Sequence, residues 1–326
     1  MTQNWGMTIP FQDRSLAGSR ELVEQLPELG YTDVWSAEVS GVDGFVPLAL
    51  AAQWARGLRL GSAIVPVSTR GPGLLAMSAA TLADLAPGRF TLGIGSSSPV
   101  IVERWNAGTF ARPYARTRDT LRFLRRALAG EKVSETYETF EVDGFRLERA
   151  PEVPPKIVLA ALRPRMLRLA AEEADGAITN WLSPEDVRTV RAEIGPDTEL
   201  IARLFVCVSE DAGRVRALAR RMLAAYLTVP VYAAFHDWLG RGEVLRPMHE
   251  AWAAGDRQGA LRAIPDEVVD ALVVHGDAAT CRARIREYVA NGLDTPVLAP
   301  VAGGEVPIAE AVRALAPDAR RADASG

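Results

Sequence analysis

Residues 58–72 read LRLGSAIVPVSTRGP, and residues 88–99 read GRFTLGIGSSSP. Each contains a short apolar run without polar alternation, at 60–67 and 90–94, bounded by glycine or proline. Such runs are typical of strands that are buried on both faces of a parallel sheet. Residues 72–85 between them carry apolar side chains at helical spacing, and Pro72 suits a first helical position. The two runs therefore predict a strand, a crossover helix and a second strand.

Small and polar residues follow both predicted strands. They are Ser68, Thr69, Arg70 and Gly71 after the first, and Gly95, Ser96, Ser97 and Ser98 after the second. Ligands of parallel α/β proteins bind at the carboxyl ends of the strands, and hydroxyl groups on short side chains offer donors and acceptors there. We therefore predict half of a cofactor pocket. A serine-rich turn is the alternative, because a lone Gly-x-Gly is a weak signal.

The composition excludes several partner classes. The chain has 326 residues, 48% of them hydrophobic, and its net charge of −4 comes from 37 basic and 41 acidic residues. This balance gives no basic face that would favour nucleic acid. The amino terminus has no basic segment followed by an apolar core, and no long apolar run suits a membrane span. We expect a cytoplasmic protein without nucleic-acid or membrane partners.

The cysteines and histidines indicate neither a disulfide framework nor a metal site. Cys207 and Cys281 lie far apart in the sequence and are expected to be buried free thiols. His236, His249 and His275 lack the spacing of metal ligands. No metal is expected.

The alternation of strand and helix continues along the whole chain. Buried strands are predicted at 6–11, 33–37, 60–67, 90–94, 156–161, 176–180, 200–209 and 295–301, with a further segment at 266–274 before the last helices. Eight such units predict an α/β protein with a closed (β/α)8 TIM barrel, as one domain over residues 1–326. A doubly wound open sheet is the runner-up, but no glycine-rich dinucleotide fingerprint follows the first strand.

Two segments depart from this rhythm. Residues 131–155 alternate around Asp143-Gly144, a dipeptide that favours a tight turn, so we predict a hairpin insertion before strand five. Residues 229–264 form short amphipathic pieces after helix seven, and an insertion of this length is usually a lid or a substrate-binding excursion.

The order of several motifs resembles the bacterial luciferase-like family, particularly its coenzyme F420-dependent oxidoreductase branch, and the likeness covers nearly the whole chain. Its landmarks are Glu38 after strand two, VPVSTRGP at 65–72, LAPGRFTLGIG at 85–95, AALRP at 160–164 and ADG at 174–176 before Trp181. The resemblance implies a barrel with a cofactor ring across the carboxyl ends of the strands. It also implies a cis peptide at Ala63–Ile64 that bulges the backbone against this ring.

The loop after strand five is similar to the phosphate cradle of that family. Main-chain N–H groups of Ala161, Leu162 and Arg163 would form it, and Arg163 and Arg165 could pair with a phosphate or with the polyglutamate tail of F420. A solvated basic helix start is the alternative. The full set of predicted cofactor-binding residues comprises Ala63, Ile64, Val65, Thr69, Arg70, Gly95, Ser96, Ser97, Ser98, Ala161, Leu162, Arg163 and Arg165.

The chain departs from the resemblance on the substrate side. Glu38-Val39 stands where several deazaflavin-dependent relatives have Asp-His, and Ser98 stands where some carry a catalytic Glu. These changes disfavour a His-assisted alcohol oxidation. We predict Glu38 as the catalytic residue, acting as proton donor or orienting the substrate. Substrate contacts are predicted for Asp43, Asn180 and Trp181. The alternatives are a turn residue before a helix for Asp43 and a core residue for Trp181.

The function implied is hydride transfer between F420 and a small organic substrate, an alkene, imine or carbonyl compound. The first alternative is an FMN-dependent monooxygenase fed by a separate reductase. The second is a non-catalytic barrel that binds a flavin or a protein partner. The resemblance also implies a homodimer, formed through the apolar helices at 45–55 and 72–85.

Overall fold

The computed structural model describes residues 3–317, so the two ends of the expected single domain, 1–2 and 318–326, lie outside the described residues. The strands of the described part are β1 (Gly6–Thr8), β2 (Asp33–Ser36), β3 (Arg59–Ser62), β4 (Val65–Pro66), β5 (Phe90–Gly95), β6 (Val133–Thr136), β7 (Glu141–Phe145), β8 (Lys156–Ala160), β9 (Gly176–Asn180), β10 (Glu199–Val208), β11 (Val273–Gly276) and β12 (Thr295–Pro300).

Eight of these strands form a closed parallel barrel in the order β1, β2, β3, β5, β8, β9, β10, β12. The barrel closes because β12 pairs with both β10 and β1. The predicted TIM barrel is therefore confirmed, and the open doubly wound sheet is wrong.

Helices follow the barrel strands and cover its outside. They are α1 (Arg20–Gln25), α2 (Val46–Trp54), α3 (Pro72–Leu85), α4 (Pro113–Leu128), α5 (Pro164–Glu173), α6 (Pro184–Ile194), α7 (Ala212–Leu227), α8 (Pro230–Trp238), α9 (Gly242–Ala253), α10 (Arg257–Arg262), α11 (Asp266–Leu272), α12 (Ala278–Ala290) and α13 (Ile308–Ala314). Among the described residues, no helix is long and apolar enough to cross a membrane.

Apolar side chains fill the inside of the barrel. One interior cluster joins buried residues from five strands with partly buried residues near the carboxyl ends; its members are Trp35, Val158, Ile178, Ile201 and Val297, packed by Ala63, Ile64 and Ala160. Filled interiors of this kind are typical of the fold, in which the binding site lies above the interior at the carboxyl ends. The cluster therefore places Ala63, Ile64 and Ala160 at the floor of the candidate site.

The run at 60–67 had predicted one continuous third strand, but the structure divides it into two. It is interrupted between β3 and β4, where the peptide bond between Ala63 and Ile64 is cis. The predicted cis bond is confirmed. Just before it, the Ser62 hydroxyl donates to the Gly93 carbonyl at 3.0 Å and accepts the Gly93 amide at 2.8 Å. These bonds hold β3 and β5 close together at the interruption.

The hairpin insertion is present, but its predicted turn is wrong. Strands β6 and β7 pair antiparallel, and the turn lies at residues 137–140, where the Tyr137 amide donates to the Phe140 carbonyl at 2.8 Å. Asp143 and Gly144 lie inside β7. Gly144 has a φ of +70°, and the register shifts between Val133 and Glu135 on the opposite strand, so the glycine serves a β-bulge and not the turn.

The departure at 229–264 is helical, as predicted, and contains α8, α9 and α10. The following segment at 266–274 is mostly α11, and only its end enters β11. Strand β11 pairs with the far half of β10, from Phe205 to Val208, outside the closed barrel. Strand β10 is ten residues long. Its first half, 199–203, pairs with β9 in the barrel, and its second half, which pairs with β11, supports α8, α9 and α10, which we call the added helices.

Candidate active site

The third, fourth and fifth strands of the barrel are β3 with β4, β5 and β8. Their carboxyl ends bring together the predicted cofactor-binding residues of these strands. A Cβ atom on Gly95 would lie 2.7 Å from the Ala160 Cβ and 3.2 Å from the Ile64 Cδ1. Only glycine therefore fits at this position, and Ile64 and Ala160 approach each other across it. This contact forms a narrow apolar floor, which suits a flat ring lying across the strand ends.

Glu38, Asp43 and Arg70, which the sequence had assigned to three different roles, form one ion-pair cluster. The Arg70 guanidinium donates to the Glu38 carboxylate at 2.8 Å and also pairs with Asp43. The Glu38 carboxylate accepts a second hydrogen bond, at 2.9 Å, from the Gly44 amide. The cluster therefore fixes the loop between β2 and α2 against the end of strand three. A proton-donor role would require Glu38 to give up these partners.

Asp43 also caps the start of α2. Its carboxylate accepts the amides of Phe45 at 2.7 Å and Val46 at 2.8 Å. Burial raises the pKa of Asp43, but the two amides and the Arg70 guanidinium outweigh this effect and hold the pKa below its ordinary value. Asp43 is a charged helix-start residue, and its predicted substrate contact stays a prediction.

The serines after β5 start a single helical turn. Ser97 is left-handed, with a φ of +63°. The Ser98 hydroxyl accepts the Ile101 amide at 3.4 Å, and the Ser98 carbonyl accepts the Val102 amide at 2.9 Å, at the start of the π-helix Val100–Trp105. The Thr69 hydroxyl donates to the Pro66 carbonyl at 3.3 Å. Thr69 and Ser98 thus already have local partners.

The predicted phosphate cradle after β8 is smaller than expected. The amide of Ala161 donates to the Ile178 carbonyl at 3.0 Å, so it extends the pairing of β8 with β9 and is not free for the cradle. A cofactor contact of Ala161 stays a prediction. The amides of Leu162 and Arg163 have no acceptor within residues 3–317. They lie directly before Pro164, the first residue of α5, where the helix dipole favours an anion.

Arg163 and Arg165 adjoin this point, and Arg116 on α4 lies toward the hairpin, where its guanidinium donates to the Thr139 carbonyl at 3.4 Å. None of the three has a carboxylate partner within ion-pair distance among the described residues, and we call Arg116, Arg163 and Arg165 the cationic rim. The Arg165 guanidinium lies 3.8 Å from the ring centroid of Tyr114, which connects α5 to α4. Burial lowers the pKa of Arg116, and Asp119 partly opposes this effect. Sequence reasoning missed Arg116, since only its place on α4 reveals it.

Arg116 lines a cavity of about 330 Å³ together with Ser68, Arg112, Glu138 and Thr139. Ser68 directly precedes Thr69, so this cavity reaches the end of strand three. A cavity of about 540 Å³ lies elsewhere, between the end of α4 and the residues that follow the hairpin, and contains none of the predicted site residues. The smaller cavity is the one that continues the candidate site.

The substrate side contains Asn180 and Trp181 at the end of β9. The Asn180 side-chain oxygen accepts the Tyr232 hydroxyl at 3.0 Å. Trp181 is left-handed, with a φ of +53°, and is buried. Its ring stacks on Phe205 at a centroid distance of 3.9 Å, under the added helices. Trp181 therefore belongs to the core beneath the helices, and a substrate contact for it stays a prediction.

Other predicted features have simple outcomes. Cys207 and Cys281 are free and buried, as expected. Within residues 3–317, no group of three or more His, Cys, Asp or Glu side chains has the arrangement of a metal site.

A comparison with known families decides the identity. The profile described as luciferase-like monooxygenase matches residues 1–295. The chain belongs to the luciferase-like monooxygenase family. It is an oxidoreductase of this superfamily, and the resemblance proposed from the motifs is confirmed.

Members of the luciferase-like family with related sequences or structures differ in cofactor. A Mycobacterium tuberculosis protein, itself only provisionally named a coenzyme F420-dependent oxidoreductase, is 29% identical, over 91% of this chain and 92% of its own length. A coenzyme F420-dependent tetrahydromethanopterin reductase from Methanopyrus kandleri has a similar structure, with a TM-score of 0.77, 18% identity and 98% of each chain covered. A type II Baeyer-Villiger monooxygenase from Pseudomonas putida, in complex with FMN, has a TM-score of 0.65, 14% identity and 97% of each chain covered.

Proposed function

We propose that this protein is an F420-dependent oxidoreductase that transfers a hydride between the deazaflavin and a small organic substrate. The observation that carries the proposal is the cationic rim at the carboxyl ends of the strands, beside the free amides of Leu162 and Arg163. The chain as a whole has a net charge of −4, so arginines without a carboxylate partner among the described residues are a local feature that suits an anionic ligand.

The residues present fit this cofactor. Its phosphate would accept the amides of Leu162 and Arg163, and its polyglutamate tail would lie along the cationic rim toward the cavity at Arg116. Ile64, Ala160 and Gly95 would support the ring. When bound, the deazaflavin would supply the hydride donor or acceptor.

The remaining residues of the site fix a loop, orient the substrate and exclude water. Arg70, held by Glu38 and Asp43, fixes the loop beside strand three. We propose that Glu38 orients the substrate, or gives a proton to it once its bonds to Arg70 and Gly44 are released. The helices α8, α9 and α10 would exclude water from the site. The apolar floor favours an alkene, imine or carbonyl compound as the reacting group.

The similarity of this chain to the Mycobacterium tuberculosis protein and to the F420-dependent reductase from Methanopyrus kandleri supports F420. The structural neighbour in complex with FMN keeps the FMN-dependent monooxygenase as the second candidate. FMN carries a phosphate but no polyglutamate tail. The cavity at Arg116, which the phosphate cradle alone would leave unused, favours the longer anionic cofactor.

The first prediction is that the purified protein binds F420 more tightly than FMN in a fluorescence titration at matched salt. Arg116→Ala and Arg163→Ala should each weaken F420 binding by roughly 10-fold or more, because each removes a charge-assisted contact to the anionic part. Binding of the deazaflavin riboside, which lacks phosphate and tail, should stay the same in both variants.

Arg168→Ala is the matched control, since Arg168 lies on α5 but pairs with Glu193 at 3.5 Å and is 62% exposed. Tighter binding of FMN would replace the proposal with the FMN-dependent monooxygenase. F420 binding without turnover of any compound in a broad alkene, imine and carbonyl panel would contradict the proposed substrate class.

A homodimer through α2 and α3 is part of the same proposal. Four large apolar side chains on these helices are exposed: Val46 by 52%, Leu74 by 50%, Met77 by 49% and Leu85 by 39%. An apolar patch of this kind on a surface otherwise rich in charge often marks a protein interface.

The second prediction is that the double variant Leu74→Glu, Met77→Glu is monomeric under conditions in which the native protein is dimeric. Two carboxylates at the centre of an apolar interface would be buried without partners. Light scattering after gel filtration measures the mass. Val244→Glu, at a side chain that is 43% exposed on α9, should leave the dimer intact. A monomeric native protein would contradict the proposed dimer.

A further inference from the structure

The guanidinium of Arg203 lies at the mouth of the barrel. Arg203 lies on β10 between Ile201, which belongs to the interior cluster, and Phe205, which belongs to the cluster under the added helices. Because side chains alternate along a strand, these three residues share one face. Arg203 therefore points to the same side as the interior of the barrel, at the level where the barrel opens.

Within residues 3–317, the Arg203 side chain forms no ion pair and no hydrogen bond with a protein group. Its Nε atom is buried without an acceptor. The side chain as a whole is only half-buried, so the terminal nitrogens remain accessible. A buried charge without a partner is costly, and such a group is usually paired or serves a ligand.

The surroundings of Arg203 are aromatic and amide groups. Its guanidinium carbon lies 4.9 Å from the ring centroid of Phe205, the ring that stacks on Trp181. Tyr226 and Tyr232 from α7 and α8 lie near it. Burial lowers the pKa of Arg203, and the two tyrosines oppose this effect. A guanidinium nevertheless stays charged at neutral pH.

Asn180 supplies a second donor. It is the residue paired with Arg203 across β9 and β10. Its side-chain oxygen accepts the Tyr232 hydroxyl, and its amide nitrogen has no acceptor among the described residues. Two adjacent strands thus present a guanidinium and an amide N–H₂ group on the same face of the sheet.

We propose that Arg203, assisted by Asn180, binds a carboxylate of the substrate. This inference rests on the proposed function, whose substrate class it narrows to alkenes, imines or carbonyl compounds that carry an acid group. A carboxylate fits better than a phosphate, because one guanidinium balances one negative charge. Among the described residues, no second cation joins Arg203 and Asn180. The planar fork of the guanidinium also matches the two oxygens of a carboxylate.

The test compares acids with their uncharged amides as probes on the protein with and without added F420: crotonate with crotonamide, benzoate with benzamide, and cinnamate with cinnamamide. Calorimetry measures the affinities of the native protein, Arg203→Met and Arg203→Lys. We expect the native protein to prefer at least one acid over its amide by about tenfold or more. Arg203→Met should abolish this preference while leaving the binding of the amides unchanged, and Arg203→Lys should retain part of it.

Two further readouts separate this role from others. F420 affinity should be unchanged in Arg203→Met, and a tenfold loss would instead assign Arg203 to the cofactor and overturn the proposal. The thermal midpoint of the ligand-free protein should be equal or higher in Arg203→Met, since an unpaired charge is removed. A clear fall of the midpoint would assign Arg203 a structural role and also overturn it.

The outcome is independent of the proposed cofactor. If the native protein discriminates acids from amides through Arg203 but does not bind F420, the carboxylate site stands and the F420-dependent function fails. If F420 binds and no acid is preferred over its amide, the function stands and the carboxylate site fails.

Discussion

Replacing Gly93 with alanine is expected to destabilise the barrel by about 3 kcal/mol or more. A Cβ atom at this position would lie 1.9 Å from the Ser62 carbonyl oxygen, which is a backbone atom and cannot rotate away. Strands β3 and β5 would have to separate, and both hydrogen bonds between Ser62 and Gly93 would be lost. Urea unfolding followed by circular dichroism measures the free energy of unfolding.

Gly57→Ala is the control, because a Cβ atom on Gly57 would contact nothing within 4 Å. Its free energy of unfolding should change by less than about 0.5 kcal/mol. Since the displaced segment carries Ala63 and Ile64, a Gly93→Ala protein that still folds should also bind F420 more weakly. Native-like stability in Gly93→Ala would show that the two strands do not need this close approach.

Acid should destabilise the protein through His236, the second large effect. His236 is buried at the end of α8, and neither ring nitrogen has a partner among the described residues. Burial lowers its pKa from 6.5 to about 3, and Arg241 and His249 act in the same direction. Between pH 6.5 and about pH 3, the unfolded chain therefore binds a proton at His236 that the folded chain does not. The free energy of unfolding consequently falls as the pH drops below 6.5. The loss between pH 7 and pH 4.5 is about 2–3 kcal/mol.

The variant His236→Phe should lose this part of the acid sensitivity. Its free energy of unfolding should fall by about 2–3 kcal/mol less than that of the native protein between pH 7 and pH 4.5. His275→Gln serves as control, because the His275 ring keeps a carboxylate partner, Asp270, at 2.9 Å. Parallel pH profiles of the native protein and His236→Phe would show that His236 reaches water in the folded state.

The barrel could be predicted from the sequence because its strands are buried on both faces. Runs such as 90–94, which the structure shows to be fully buried, leave little choice but a parallel sheet. The turn of the hairpin could not be predicted in this way. Asp143-Gly144 has turn chemistry, but a left-handed glycine serves a bulge equally well, and the pairing of β6 with β7 decides between the two.

The candidate site was predicted unevenly for a related reason. The sequence located the loops at the strand ends, but it could not show that Glu38 and Asp43 form ion pairs with Arg70. Nor could it show that the Ala161 amide is used by the barrel itself. These outcomes depend on distances between segments far apart in the chain.

Arg203 was within reach of sequence reasoning and was still missed. It is a charged residue within LIARLFVCV at 200–208, a run that is otherwise apolar. A charge at an inward-facing position of a buried strand is costly and calls for a partner. The sequence shows the unusual charge, but only the structure shows that no carboxylate within residues 3–317 pairs with it.

The double length of β10 lets the chain between residues 209 and 276 leave from and return to the same strand. The chain leaves the barrel at the end of β10, forms α7 to α11, and returns to the side of the same strand as β11. Closure of the barrel depends on β9, β10 and β12 and not on the residues in between. Recombination could therefore replace this cassette, and with it the cover over Arg203, while the cofactor half of the molecule stays as it is. New substrates could be acquired in this family by exchanging one contiguous block of sequence.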